Sequence, residues 1–157
     1  KVLKDINIDN VTIKWPNDVY VSGKKICGIL MESISLDSEI KALVIGIGLN
    51  VNQTNIECDQ KTISIRQIKQ KKVFIPILRN KVYKCLKSEL DLLLINKSNY
   101  LNEIRFINYL KDKEVKALVD NVEITVKVID IADDNSLLVI KNDKKMNLYS
   151  GEVHLLK

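Results

Sequence analysis

A carboxylate and a lysine flanking a short turn are the first side chains in this sequence whose types and spacing could do chemistry. Asp18 precedes Lys25 by seven residues, and the Tyr20 to Lys24 stretch between them reads as a hairpin. Such a hairpin would bring the two within a few ångströms on adjacent strands. A carboxylate so placed can orient an ammonium group and help remove its proton. Each residue also has a plainer reading, Lys25 as a hairpin charge beside Lys24 and Asp18 as an acceptor for backbone N–H groups in the turn after Pro16. Gly28, Gly46 and Gly48 fall inside apolar runs, where a glycine weakens a strand and often marks close approach of a ligand or another backbone. Gly46-x-Gly48 has neither a third glycine nor a following helix pattern, so it is not a dinucleotide fingerprint. Cys27, Cys58 and Cys85 have no CxxC spacing and His154 is the single histidine, which leaves little for a metal site. The thiols read as reduced cysteines of a cytoplasmic protein.

The elements that must position these residues follow from periodicity. Val11, Ile13 and Trp15 alternate as in a half-buried strand, with Trp15 a core residue, and Pro16-Asn17-Asp18 breaks the pattern. Val19 to Val21, a turn at Ser22-Gly23-Lys24 and the run from Ile26 to Glu32 form a hairpin, and a second turn falls near Asp37-Ser38. Ala42 to Val51 is apolar on both parities, as expected for a strand covered on both faces. Strict alternation would place Lys25 and Leu30 on opposite faces, unless a bulge near Gly28 re-aims the strand. Cys27 is read as a core residue. Thr62 is placed to cap a short helix through Ile68. From Val73 the period changes, with Phe74, Leu78, Val82, Leu86 and Leu90 recurring every four residues in one long amphipathic helix. Ser98 or Asn99 caps a further helix carrying Leu101, Ile104, Ile107 and Leu110, and Lys111-Asp112-Lys113 marks a boundary. Beyond it, Val122 to Val128, Leu137 to Ile140 and Met146 to Leu155 are extended runs separated by turns at 133–135 and 142–143. Short strands so closely spaced predict a small SH3-like β-barrel, with His154 in a structural place in its last strand.

Composition narrows the function classes. The 157 residues include 25 basic and 20 acidic side chains, for a net charge of +5, and 46% are hydrophobic. That suffices for one domain, or one domain and a small appendage, to fold without disulfides or metals. Arg66, Arg79 and Arg105 are the only arginines and lie far apart, whereas nucleic-acid readers concentrate arginine. The net charge therefore reads as a solvated lysine surface, and DNA is not an expected partner. The longest apolar runs fall far short of the roughly 20 residues that span a bilayer, so no membrane association is expected. The chain opens at Lys1 with no signal-peptide pattern, which reads as a piece of something longer.

Three segments in order carry more information together: Lys14-Trp15-Pro16-Asn17-Asp18, then Lys24-Lys25-Ile26-Cys27-Gly28-Ile29-Leu30-Met31-Glu32, then Gly46-Ile47-Gly48-Leu49-Asn50-Val51-Asn52. They resemble the catalytic domain of biotin protein ligases, and Gly151-Glu152-Val153 resembles the end of that family's C-terminal domain. The resemblance implies an α+β fold, a partial mixed sheet with helices like that of class II aminoacyl-tRNA synthetases, over residues 1–111, and an SH3-like domain over 112–157. It implies biotin, ATP and Mg²⁺, and a biotin carboxyl carrier domain as the protein substrate. Lys25 would then reach the biotin carboxylate and the adenylate phosphate, with Asp18 as its catalytic companion. Gly28, Ile29, Leu30 and Gly46 would line biotin, and Asn17, Gly48 and Asn50 would serve ATP, the asparagines both donating and accepting at the adenine edge. The family's glycine- and arginine-rich loop, upstream of its KWPND segment, has no counterpart among Gly23, Gly28, Gly46, Gly48 and Gly151, none of which adjoins an arginine. A fragment of a full enzyme is the expectation, a second chain completing the site the alternative.

Two rival classes stand beside this one. The chain could be a non-catalytic binding or dimerisation module, with the strand at residues 40–51 pairing as a sheet edge in a homodimer. It could also be a lipoate-type acyltransferase, related by fold and acyl-adenylate logic.

Overall fold

The computed structural model describes residues 1–55, 60–95, 100–119 and 121–156, without the side chains of Leu94 and Glu152. The expected Ser98 or Asn99 cap, and Cys58, lie outside the described residues. The fold is α+β, and the chain forms two compact units: Lys1–Val11 with Asn17–Lys87, and Thr12–Pro16 with Ser88–Lys157.

The first strand of the chain is β1 (Val11–Lys14); in the first unit β2 (Asp18–Val21), β3 (Lys24–Leu36) and β4 (Glu39–Leu49) are consecutive antiparallel neighbours. Two-residue turns with both residues left-handed join them: Ser22-Gly23 (φ 49° and 75°) and Asp37-Ser38 (φ 52° and 64°). This is the hairpin turn whose twist matches that of its strands, and the small polar residues expected there tolerate it. The helices are α1 (Val2–Asp5), α2 (Ile65–Lys69) and most of α3 (Ile75–Ile95). Ile8, Val21, Ile26, Cys27, Val51, Ile65 and Leu78 make the core of this unit, with Ile26 and Ile65 wholly buried.

Two local expectations are corrected here. The cap of α2 is Ser64, not Thr62: its hydroxyl accepts from the Gln67 N–H while the Gln67 side chain accepts from the Ser64 N–H. Ser64-x-x-Gln67 is a capping box, which satisfies two helix-end donors at once, so it prevails over a lone threonine. β4 is not covered on both faces either. Leu43, Val44 and Ile47 are exposed, and among the described residues β3 is its hydrogen-bonded neighbour while α3 adjoins only the end nearer Leu49.

The second unit contains α4 (Tyr100–Phe106) and five strands: β5 (Glu114–Val119), β6 (Val122–Ile131), β7 (Leu137–Lys141), β8 (Lys144–Leu148) and β9 (Glu152–Leu155). Their order is β8-β7-β6-β5-β9, all neighbours antiparallel. Among the described residues the sheet thus has two end strands, β8 and β9, where a closed barrel would have none. Val115, Ala117, Val126, Val128, Leu137 and Val139 alternate into its core, each with at most 2% of its surface exposed. Trp15 packs in the same cluster and donates its indole N–H to the Asn135 carbonyl at 3.0 Å, the core role read for it. The extended run through Leu155 is broken at Gly151, with φ at +123°, where an added Cβ would stand 2.3 Å from the Leu118 carbonyl oxygen. Only glycine fits there, and the chain turns to start β9 as a separate strand. His154 lies on β9, paired in register with Lys116. Among the described residues, no helix is long and apolar enough to cross a membrane.

Candidate active site

The register of β2 on β3 builds the site. Asp18 pairs with Gly28 and Val19 with Cys27, but Tyr20 pairs with Lys25, so Ile26 is an extra residue on β3. That bulge changes which residues share a face. Lys25 and Gly28, three apart, lie on the same face, because a Cβ at Gly28 would stand 3.5 Å from the Lys25 Nζ and 3.4 Å from Asp18 Oδ1. Leu30 follows Gly28 by two and so shares that face too. The opposition of Lys25 and Leu30 that strict alternation requires does not arise.

β4 extends the same surface. Gly48 pairs with Gly28 and Gly46 with Leu30, and directly paired residues point the same way. Asp18, Lys25, Gly28, Leu30, Gly46 and Gly48 therefore form one continuous face with side chains along its rim and almost none at its centre. Lys25 Nζ lies 2.6 Å from Asp18 Oδ1, the two side chains 26% and 12% exposed. A half-buried charge-assisted pair of this kind fixes both groups in one geometry. Leu30 is exposed and supplies apolar surface beside the glycines.

Ile29 does not join this set. It lies on the opposite face, packed against the core of the first unit, and touches the site only by its N–H, which donates to the Asn17 carbonyl at 2.8 Å. One-residue alternation sends it inward once Gly28 faces out. Cys27 lies on that buried face as well. Burial, and then the Asp18 charge, push its thiol up to about 11 against the pull of Lys25. A thiol so shifted is an inert core group, as its reading from sequence held.

Asn17 is exposed next to Asp18, and its carbonyl bond to Ile29 N–H ties the turn to β3. Asn50 follows β4; its N–H donates to the Ile26 carbonyl at 2.9 Å and its carbonyl accepts from Ile65 N–H at 3.0 Å. The segment 61–63, read from sequence only for a Thr62 cap, grips Lys25. Lys25 N–H donates to the Lys61 carbonyl and Ile63 N–H to the Lys25 carbonyl, each at 2.9 Å. Asn52 was also missed; its side-chain amide bonds both backbone groups of Val73, at 2.8 and 2.9 Å. The Ser64-x-x-Gln67 box was the one readable sign that the stretch after β4 is built to a fixed shape.

A fixed cation beside a carboxylate, over a floor without side chains, suits a ligand with an anionic group and a flat or extended body. The Biotin/lipoate A/B protein ligase family profile matches residues 2–50, which hold Asn17, Asp18, Lys25 and the glycines. The match covers the part of the chain that carries the candidate site. Over 161 aligned positions it is 29% identical to the bifunctional ligase/repressor BirA of Salmonella typhimurium, covering 99% of this chain and 49% of that protein. Over 41 positions it is 51% identical to BirA of Bacillus subtilis, or 26% of this chain and 13% of that one. The apo biotin protein ligase of Aquifex aeolicus superposes with a TM-score of 0.84 at 28% identity, over 99% of this chain and 69% of that chain. The same enzyme in complex with biotin and ATP superposes at 0.82 with 27% identity, over 99% and 66%. The chain thus spans about half the length of the Salmonella relative it matches.

Proposed function

We propose that this chain is the C-terminal part of a biotin protein ligase, which activates biotin with ATP and transfers it to a lysine of a carrier protein. The observation that carries the reading is the Lys25–Asp18 pair at 2.6 Å above Gly28, on the face bared by Gly46 and Gly48. In the first step a biotin carboxylate oxygen attacks the α-phosphorus of ATP and pyrophosphate leaves. Negative charge collects between carboxylate and phosphate, where a preorganised cation is most effective, and Lys25 has that role. In the second step the carrier amine attacks the acyl carbon, AMP leaves and the amine proton is lost. Asp18 orients the incoming ammonium and helps take its proton. Gly28, Gly46 and Leu30 lie along biotin, with Ile29 contributing main chain alone, and Asn17, Gly48 and Asn50 meet the nucleotide.

Mg²⁺, if bound with ATP, would supply charge neutralisation for the phosphates. The described residues contain no cluster of three His, Cys, Asp or Glu side chains that would cage an ion, and a Mg²⁺ carried by phosphates needs at most one or two carboxylates. Asp18 is the carboxylate at hand. The partner is a biotin carboxyl carrier domain, the setting cytoplasmic, and residues 1–111 and 112–157 are the catalytic portion and the C-terminal domain.

Calorimetric titration of the chain with biotin and a non-hydrolysable ATP analogue, with lipoate as competitor, tests the reading. Biotin binding that lipoate does not displace supports it; preference for lipoate defeats it. A dimer that binds neither acid would favour the non-catalytic module, for which the outer edge of β4, the last strand of its sheet, is the pairing surface.

A further inference from the structure

The loop after β4 is strapped to the first turn of α2. Ile65 N–H donates to the Asn50 carbonyl at 3.0 Å and Arg66 N–H to the Val51 carbonyl at 2.8 Å. Ser64 Oγ donates to the Gln53 carbonyl at 2.6 Å, and Gln67 Nε2 donates to the Thr54 carbonyl at 2.8 Å. Four carbonyls of residues 50–54 thus end on residues 64–67. Ser64 and Gln67 are locked together by their reciprocal cap, with Ser64 fully buried. The segment just before Ser64 grips Lys25 by main chain alone, through Lys61 and Ile63.

We infer that Ser64 is a positioning residue for the nucleotide side of the site. Its hydroxyl is the hinge of the strap: it caps α2, holds Gln53, and so fixes the carbonyl side of Asn50, whose N–H is held by Ile26 on β3. Lys25 does not depend on that hydroxyl, because main-chain bonds to residues 61–63 hold it. One buried side chain therefore sets one half of the site and leaves the other half alone. The inference rests on the reading of Asn50 as a nucleotide-contacting amide.

The test is Ser64→Ala in the full-length protein, with Gln67→Ala, at a half-buried position, as the milder variant. The expected result is a rise of about fivefold to tenfold in KM for ATP, the scale of one or two lost hydrogen bonds. KM for biotin should stay within about twofold, since the bonds lost are not on the Lys25 side. A purely structural role would lower kcat through loss of folded enzyme and leave both KM values where they were. Amide hydrogen exchange on the 157-residue chain decides the strap independently of catalysis. In either variant the Ile65 and Arg66 amides, whose acceptors are the Asn50 and Val51 carbonyls, should exchange at least about tenfold faster, while Lys25 and Ile63 keep their protection. Unchanged Ile65 and Arg66 exchange in both variants, or equal loosening of Lys25, would overturn the inference. Wild-type protein without biotin-dependent adenylate formation would instead defeat the proposed function and leave exchange to judge the strap.

Discussion

The two faces of the sheet formed by β2, β3 and β4 are built from alternate residues of the same strands, yet they have opposite physical characters. On one, Asp18, Lys25, Gly28, Gly46 and Gly48 leave a charged rim around backbone without side chains. On the other, Val19, Cys27, Ile29 and Leu49 pack with Ile65 and Leu78 from the helices. The second face stabilises the unit through apolar burial; the first contributes little burial and keeps a space open. The contrast shows how a sheet can carry a site at low risk to its stability, because substitutions on the bare face need not disturb the packed one.

Lys25 and Ile26 are neighbours that test this division most sharply. Ile26→Ala, at a wholly buried position, should lower unfolding free energy by about 2–5 kcal/mol, the range for emptying a core site. Chemical denaturation measures it, and a loss under about 1 kcal/mol would mean that the bulge residue is not packed as described. Lys25→Ala in the complete enzyme should instead, under the proposed function, lower adenylate formation by roughly a hundredfold or more, as for one preorganised electrostatic group, with melting nearly unchanged. A loss below about threefold would remove Lys25 from the chemistry.

A smaller effect is expected from Cys27, and it separates the faces by pH. Burial raises its thiol from the ordinary 9.0 to about 11, so the folded state favours the neutral form. Stability from this group is fully present below about pH 9 and is lost as pH rises through about 11, because the unfolded chain then binds fewer protons. Denaturation curves from pH 8 upward should show that fall, and Cys27→Ala should reduce it. A thiol reagent that labels Cys27 quickly at pH 8 without unfolding would place it on the open face instead.

Much of this was legible before any coordinates. The Ser22-Gly23 and Asp37-Ser38 turns, the long helix from four-residue recurrence, the core role of Trp15, and the proximity of Asp18 to Lys25 all follow from local chemistry and spacing. What stayed hidden were features that depend on partners distant in sequence. Thr62 and Ser64 are both acceptable caps by type, and the choice was settled by Gln67 together with the Gln53 and Thr54 carbonyls waiting for donors. The apolar residues of β4 read as doubly covered, but composition cannot say whether a neighbour exists to cover them. The run ending at Leu155 read as one strand because the crowding of Gly151 comes from Leu118, on a different strand.

By itself the sequence determined which residues could make a site: a carboxylate and lysine seven apart around a tight turn, and three glycines inside strands. Their types and local spacing follow from side-chain chemistry and turn geometry, which act over a few residues. Only the tertiary structure decided that Lys25, Gly28 and Leu30 share a face while Ile29 does not. Strand parity is set by pairing, and one unpaired residue, Ile26, reverses it for everything that follows.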